Sequence, residues 1–350
     1  MRASLVVGSA SVFVVACGGA PHAPSPAAAP MTAGAFATTT VALPGGGPDG
    51  VGMDYLLYDP RTNAVWVPAG NTGSVDVIDV ATGKLSRIAG FVTLEVERRG
   101  GKRTVGPSAA ALGDRGTVYI GSRGDSTICA FDETSFAKRA CHQLDSTPDG
   151  IAYVATTREV WVTTPRDNSI RVLDATTLAQ KARLAFDGAP EGFAADDKRG
   201  RFYTNLEDKD VTLAIDLASH QTVATWKSGC GEDGPHGLRL AEPDGFLLVA
   251  CSSRLESLDV AHDGASLGTI ETGDGVDDFD YSAPDHRVYV GAAKAATLTI
   301  ASLDPRGKLA VLASVPTQSG ARNGVVTSAG SVYLSHSRAS ELVVVAPVVR

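Results

Sequence analysis

Residues 64–84 read AVWVPAGNTGSVDVIDVATGK, and this stretch decides the fold. Its two apolar segments, Ala64-Val65-Trp66-Val67 and Val75-Asp76-Val77-Ile78-Asp79, are rich in β-branched and aromatic side chains. That composition favours buried strands. The small and polar residues between them are typical of a tight connection, and Ala81-Thr82-Gly83-Lys84 predicts a turn into a further, more exposed strand.

The same pattern recurs about every forty residues, as expected for a repeat architecture. Each repeat opens with a short turn, usually Pro-x-Gly, and its second strand is the clearest. The seven second strands are Ala64–Val67, Thr117–Ile120, Glu159–Val162, Arg201–Thr204, Phe246–Val249, Arg287–Val290 and Ser331–Leu334. Four short strands per repeat, with no amphipathic helical window, predict an all-β fold, a seven-bladed β-propeller of four-stranded blades.

The two ends of the repeat array predict how the ring closes. The last repeat stops after its third strand, Glu341 to Val345, whereas a lone strand, Thr38 to Leu43, precedes the first repeat. We expect this N-terminal strand to complete the last blade, because closure leaves no long strand edge unpaired.

Three stretches resemble the YVTN-type propeller repeat: Trp66 to Lys84, Tyr203-Thr204-Asn205 and Thr163 to Asp174. The resemblance extends over nearly the whole chain after the N-terminal segment and implies a bacterial extracytoplasmic propeller. The family includes surface-layer proteins, periplasmic binding propellers and lactonase-like enzymes, so the resemblance does not fix an activity.

The N-terminal residues predict export. Arg2 precedes an apolar run from Leu5 to Val15 that is too short to span a bilayer. Val14-Val15-Ala16-Cys17 resembles a lipobox, which predicts a lipoprotein signal peptide over residues 1–17 that ends at an acylated Cys17. The alternative is an ordinary signal peptide that contains a cysteine.

Residues 18–35 contain mainly Ala, Pro, Gly and Ser, which predicts a disordered tether. Residues 36–350 then form the single propeller. Because Gly18 rather than Asp follows the cysteine, resemblance to sorted lipoproteins places the protein in the cell envelope, anchored to the outer membrane and facing the periplasm or the cell surface. The lipid anchor is the only membrane contact that we expect.

The net charge of −8 argues against nucleic acid as a partner. One local exception is the segment Glu95 to Val105, which contains Arg98, Arg99, Lys102 and Arg103. With Gly100-Gly101 as its turn, this segment predicts either a hairpin near the channel or a solvated extension of the preceding strand.

The chain has five cysteines, and acylation of Cys17 would leave an even number in an oxidising compartment. If Asp132 faces Lys138 across a turn, Cys129 lies directly opposite Cys141, within disulfide range. Cys230 precedes the first strand of the fifth blade, and Cys251 ends its second strand at the same face. We predict both pairs as structural disulfides.

A propeller gathers the starts of its innermost strands around one mouth of the central channel. The residues inside the seven opening turns are all polar: Asp49, Ser108, Asp149, Glu191, His236, Asp277 and Asn323. Oxygen donors and an imidazole suit a divalent cation such as calcium or zinc. The alternative is that they are ordinary turn residues that bond to nearby backbone.

The same turns resemble those of the regucalcin and gluconolactonase propellers, a six-bladed family in which carboxylate and amide side chains hold a catalytic divalent metal. Carried onto the matching positions, the resemblance implies Asp149, Glu191 and Asn323 as metal ligands.

Two functions follow from these observations. The first is a binding or scaffolding propeller that recognises an unidentified protein or small molecule on one face. The second is a metal-dependent lactonase or esterase that uses the acidic mouth, with a carboxylate or His236 as proton acceptor. Convergence of Asp149, Glu191, Asp277 and Asn323 on one point would favour the hydrolase, and side chains bonded to their own turns would favour the binding module.

Overall fold

The structure, a computed structural model, describes residues 33–98 and 101–348. Seven four-stranded antiparallel sheets form the blades of a ring, so the predicted seven-bladed β-propeller is confirmed. The signal peptide, Cys17, most of the tether and the turn residues 99–100 lie outside the described residues.

The first strand and the first three blades occupy the N-terminal half of the described chain. Strand β1 spans Phe36–Ala42. Blade 1 contains β2 (Leu57–Asp59), β3 (Ala64–Ala69), β4 (Ser74–Asp79) and β5 (Leu85–Ala89). A separate hairpin follows, with β6 (Leu94–Arg98) and β7 (Gly101–Val105). Blade 2 contains β8 (Pro107–Leu112), β9 (Thr117–Ser122), β10 (Thr127–Asp132) and β11 (Lys138–Gln143). Blade 3 contains β12 (Ile151–Val154), β13 (Glu159–Thr164), β14 (Ser169–Asp174) and β15 (Gln180–Ala185).

The remaining four blades complete the ring. Blade 4 contains β16 (Pro190–Asp196), β17 (Arg201–Leu206), β18 (Val211–Asp216) and β19 (Thr222–Lys227). Blade 5 contains β20 (Leu238–Ala241), β21 (Phe246–Ala250), β22 (Arg254–Asp259) and β23 (Ala265–Glu271). Blade 6 contains β24 (Phe279–Ser282), β25 (Arg287–Ala292), β26 (Thr297–Leu303) and β27 (Leu309–Pro316). Blade 7 contains β28 (Arg322–Val326), β29 (Val332–His336) and β30 (Glu341–Pro347).

The helical segments of the described chain are single 3-10 turns. They span Ala33–Ala35, Gly70–Thr72, Pro165–Asp167, Gly231–Asp233, Val260–His262 and Ser337–Ala339. Within the described ranges, no helix has the length and apolar character needed to cross a bilayer.

The N-terminal strand closes the ring as predicted. Strand β1 pairs antiparallel with β30, from Phe36 opposite Pro347 to Ala42 opposite Glu341, and becomes the outermost strand of blade 7. The first and last strands of the propeller therefore share one blade, and the backbone groups of β30 are paired on both sides.

The core lies between neighbouring blades. Trp66 and Trp161 on the second strands are fully buried, and the Trp161 ring stacks on Phe202 of the next blade at a centroid distance of 4.5 Å. Trp226 lies on an outermost strand and is half-buried against Tyr203 and the turn at Gly264 of the following blade. All three tryptophans therefore pack within and between blades.

Both predicted disulfides are present. Cys129 on β10 lies directly opposite Cys141 on β11, and the two form one disulfide. Cys230, before blade 5, is joined to Cys251 at the end of β21. The second disulfide fixes the linker that enters the innermost strand of blade 5.

Candidate functional site

One face of the ring carries the starts of the innermost strands, the loops between second and third strands, and the linkers between blades. We call it the mouth face. The turns between first and second strands and between third and fourth strands lie on the opposite face, because strand direction alternates within a blade.

Irregular backbone at the start of three innermost strands positions side chains at the mouth. In blades 2 and 7 one extra residue, Ser108 or Asn323, interrupts the pairing with the second strand. In blade 4 the extra residue falls within Glu191-Gly192. Such β-bulges bend a strand and redirect a side chain, which explains why Glu191 and Asn323 face the central cavity of the ring.

Two glycines allow the inner strands to approach closely there. A Cβ atom at Gly192 would overlap the carbonyl oxygen of His236, and one at Gly237 would overlap the Asp278 side chain. The amide of Gly237 donates to the Asp277 carbonyl at 2.8 Å. Neighbouring blades are thus in backbone contact at the mouth, where only glycine fits.

Three groups of acidic side chains surround the mouth, and in the first group one arginine pairs with two carboxylates. Arg123 donates to Asp54 at 2.6 Å and also to Asp149. Burial alone would lower the pKa of Arg123, but the carboxylates of Asp54 and Asp149 raise it above its usual value. The Tyr55 hydroxyl lies 3.4 Å from Asp149, and its ring packs near Phe193 across the channel.

The second group combines two carboxylates and an imidazole. One ligand atom each from Glu191, Glu207 and His236 lies within 4.8 Å of the others. His236 Nε2 is 3.3 Å from the Ser252 hydroxyl, and Asn205 holds the His236 carbonyl at 2.8 Å. Burial raises the pKa of Glu191 well above its usual value, and the hydrogen bond and charge of Glu207 raise it further.

The third group is a network of amide, arginine and aspartate side chains. Asn323 donates to Asp277 at 2.8 Å and accepts from the Asp278 amide at 3.0 Å. Arg322 pairs with Asp277 at 3.1 Å. Arg239 pairs with Asp278 at 2.8 Å and lies 3.6 Å from Asp280. Burial raises the pKa of Asp278, although the charge of Arg239 opposes the shift.

These groups enclose a cavity of about 10 Å³ at the centre of the ring. It is lined by Asp54, Tyr55, Glu191, Gly237, Asp277, Asp278 and Asn323. This volume accommodates a single water or ion. Glu191 Oε2 and Asp278 Oδ1 are buried without a hydrogen-bond partner in the described chain, so two carboxylate oxygens are available to a cation.

The mouth therefore contains more negative than positive charge. Its three groups contain seven carboxylates, Asp54, Asp149, Glu191, Glu207, Asp277, Asp278 and Asp280, and three guanidinium groups, Arg123, Arg239 and Arg322. Because like charges in a buried site disfavour one another, a proton or a cation must relieve the excess.

The structure brings together some of the residues that the sequence singled out. Glu191, Asp277 and Asn323 line the same cavity, and His236 joins Glu191 through the second group. Asp149 is bound by Arg123 instead, so the set Asp149, Glu191 and Asn323 does not converge on one point. Ser108 is buried in its bulge and lines a separate pocket.

Asp49 does not occupy the mouth, contrary to expectation. It is exposed and lines a groove beside the β6–β7 hairpin. Asp54 takes the corresponding place at the mouth because blade 1 has additional residues between the Pro48-Asp49-Gly50 turn and its innermost strand. The sequence analysis also missed Glu207, Asp278 and Arg123.

A groove beside the hairpin is a second concave feature at this face. It consists of two adjoining pockets of about 650 and 320 Å³ that share Gly52, Asn71, Arg103, Thr104, Ser337 and Arg338. The hairpin forms one wall, with Lys102 on β7 paired to Glu95 on β6. The smaller pocket extends to Asp54 and Arg123 at the mouth. We call both pockets together the hairpin groove.

No protein-family model matches the chain, and no curated protein matches it. Solved structures do match. Virginiamycin B lyase from Staphylococcus aureus is 12% identical with a TM-score of 0.69, and the match covers 89% of this chain and all of the lyase. Hydrazine synthase of Kuenenia stuttgartiensis is 13% identical with a TM-score of 0.68, covering 85% and 95%.

A chain in the crystal structure of a mitotic checkpoint complex is 15% identical, with a TM-score of 0.70 and coverage of 96% and 98%. These proteins have unrelated activities, and identities this low show a common propeller fold only. The fold is suited to a binding or scaffolding module. The sequence resemblance to the YVTN-type repeat has no counterpart among these matches.

Proposed function

We propose that this protein is a lipid-anchored extracytoplasmic propeller that binds a small polar ligand on its mouth face. The hairpin groove is the observation that carries the proposal. Its pockets fall within the usual volume range of ligand sites, and polar side chains from blade 1, blade 7 and the hairpin converge on it. The arginines that pair with Asp149 and Asp277 favour a preformed binding surface over a reactive one.

A thermal-shift screen of the mature chain tests this function. The panel contains neutral, cationic and anionic metabolites. Thr104 is exposed in the groove, so Thr104→Trp should fill it and abolish the stabilisation that a bound compound gives. Thr39→Trp on the outer strand β1 is the matched control and should retain it. A panel without any stabilising compound, or stabilisation that survives Thr104→Trp, contradicts the proposal.

The lipid anchor is part of this proposal and rests on the lipobox-like residues 14–17. Cys17→Ser removes the thiol that would be acylated, so the protein should move from the membrane fraction to the soluble envelope fraction. Labelling with radioactive palmitate should be lost in the same variant. Equal membrane association of both proteins would contradict the anchor.

A metal-dependent lactonase or esterase is the second candidate, favoured by the group of Glu191, Glu207 and His236. Two carboxylates and an imidazole are a donor set for zinc and other divalent ions. A divalent ion would supply Lewis acidity and a bound water of lowered pKa. Around it, Ser252 orients the imidazole, and Asn205 fixes its backbone. Compared with the sequence-based ligand set, Glu191 is retained, and Glu207 and His236 take the places of Asp149 and Asn323.

Elemental mass spectrometry separates the two candidates. After incubation with calcium or zinc and desalting, the hydrolase requires one ion per chain, lost in Glu207→Gln and kept in the control Glu242→Gln, which changes an exposed side chain on the opposite face. A stoichiometric ion would justify assays with lactones and esters. Absence of an ion from the wild-type chain would exclude this candidate and leave the binding function intact.

A further inference from the structure

The charged side chains that line the hairpin groove are mainly cationic, whereas the protein as a whole is acidic. Five cationic side chains line it, Lys102, Arg103, Arg123, Arg322 and Arg338, together with the two acidic residues Asp49 and Asp54. The chain has a net charge of −8. A cationic cleft concentrates anionic ligands, because its low-dielectric walls focus the electric field.

Three of these cations already have partners. Arg123 is bound by Asp54 and Asp149, and Arg322 pairs with Asp277. Lys102 pairs with Glu95 across the hairpin. These three cations contribute to the electrostatic potential of the groove, but part of their hydrogen-bonding capacity is used by their carboxylate partners.

Arg103 and Arg338 are different. Neither guanidinium group has a carboxylate within 4.0 Å or a side-chain hydrogen bond among residues 33–98 and 101–348. Arg103 extends from β7 of the hairpin, and Arg338 from the 3-10 turn between β29 and β30 of the last blade. Each of these two arginines lines both pockets, so they would contact a ligand from two walls of the groove.

A buried hydroxyl lies at the inner end of the groove. Ser108 is 6% exposed, its Oγ has no hydrogen-bond partner in the described chain, and it lines the smaller pocket. The β-bulge in blade 2 holds it there. A buried hydroxyl without a partner carries a free-energy cost, which a ligand oxygen that accepts its proton would remove.

We propose that the hairpin groove binds a small organic anion with a carboxylate or phosphate group. Arg103 and Arg338 pair with the anionic group, since a planar guanidinium matches both oxyanions with two parallel hydrogen bonds. Ser108 donates to a ligand oxygen near the mouth. The inference rests on the proposed function and gives the ligand its chemical class.

Isothermal titration calorimetry of the mature chain, with citrate and inorganic phosphate as probes, tests the inference. We expect saturable binding of at least one probe, weakened at high salt. Arg103→Gln with Arg338→Gln should weaken it roughly tenfold per arginine, the effect of a lost hydrogen bond to a charged group. Ser108→Ala should weaken it without lowering the melting temperature of the ligand-free protein, because it removes a buried hydroxyl that has no partner.

Arg115→Gln with Arg306→Gln is the matched control, since it removes the same charge from exposed turns on the opposite face. Equal affinity in both double variants, or no saturable heat with either probe, overturns the inference. If a neutral or cationic compound binds and Thr104→Trp blocks it, the groove remains the ligand site and only its anionic chemistry is wrong. If no compound binds, the proposed function fails as well.

Discussion

At the scale of single residues, Glu191 is the mouth carboxyl group whose pKa is raised well above its ordinary value. Burial and the adjacent carboxyl group cause this rise in pKa. The folded protein therefore keeps a proton on Glu191 at pH values where the unfolded chain has lost it. A divalent cation would compete with that proton for the same oxygens.

The raised pKa of Glu191 predicts how the stability of the protein depends on pH. A carboxyl group whose pKa is raised by folding contributes stability below its unfolded pKa of about 4.5, and the contribution is lost as pH rises toward the folded pKa. Without cations, the wild-type melting temperature should fall over this range more than that of Glu191→Gln. Thermal unfolding in EDTA at several pH values measures the difference, and parallel curves would contradict it.

Gly192 provides a second prediction. Gly192→Ala would press a methyl group against the His236 carbonyl, and such overpacking costs about 1–3 kcal/mol. We expect a lower free energy of unfolding and displacement of His236 from Glu191. Chemical denaturation measures the first effect. Gly268→Ala is the control because its Cβ would meet only the flexible Lys308 side chain at 3.7 Å, and an equal loss in both variants would refute the account.

Sequence reasoning could find mouth residues only where a local signal marks them. Glu191, His236 and Asn323 each precede a glycine at the start of a repeat. Glu207 lies in a loop between second and third strands, where no turn signal distinguishes it, and only the fold brings it to Glu191. Asp49 has the stronger turn signal, although the additional residues of blade 1 place Asp54 at the mouth.

At the scale of elements, the linkers rather than the blades distinguish this propeller. The segment between blades 1 and 2 forms the β6–β7 hairpin and gives the mouth face an asymmetric wall. A hairpin was one of the two structures that Gly100-Gly101 and the flanking residues allowed, the other being a solvated extension of the preceding strand. Its role as the wall of a groove was not predictable, because that depends on loops of blades 1 and 7 that are remote in sequence.

The two disulfides should differ in their effect on the mouth. Cys129–Cys141 joins strands that are already paired, whereas Cys230–Cys251 fixes the linker that leads to His236. Replacing either pair by alanine should lower the free energy of unfolding by about 2–4 kcal/mol. Only loss of Cys230–Cys251 should also weaken cation uptake. Elemental analysis of both variants measures the bound cation. Equal uptake would contradict the claim that the Cys230–Cys251 disulfide positions His236.

At the scale of the whole molecule, the ring places the strand starts and the linkers between blades on the mouth face and the short turns on the opposite face. The fold was predictable because seven copies of one strand pattern reinforce a single interpretation, and closure by β1 follows from the missing strand of the last repeat. Function was not predictable in the same way. It depends on which side chains seven separate strand starts and their linkers bring together, and no single repeat contains that information.

Hydrogen–deuterium exchange of the mature chain tests the central claim, that the mouth face binds the ligand. The chain is compared with and without the compound that stabilises it most in the thermal-shift panel. We predict slower exchange in residues 101–105 and 335–338, which line the hairpin groove. Unchanged exchange there, or protection confined to opposite-face turns such as residues 113–116 and 304–308, would contradict the account.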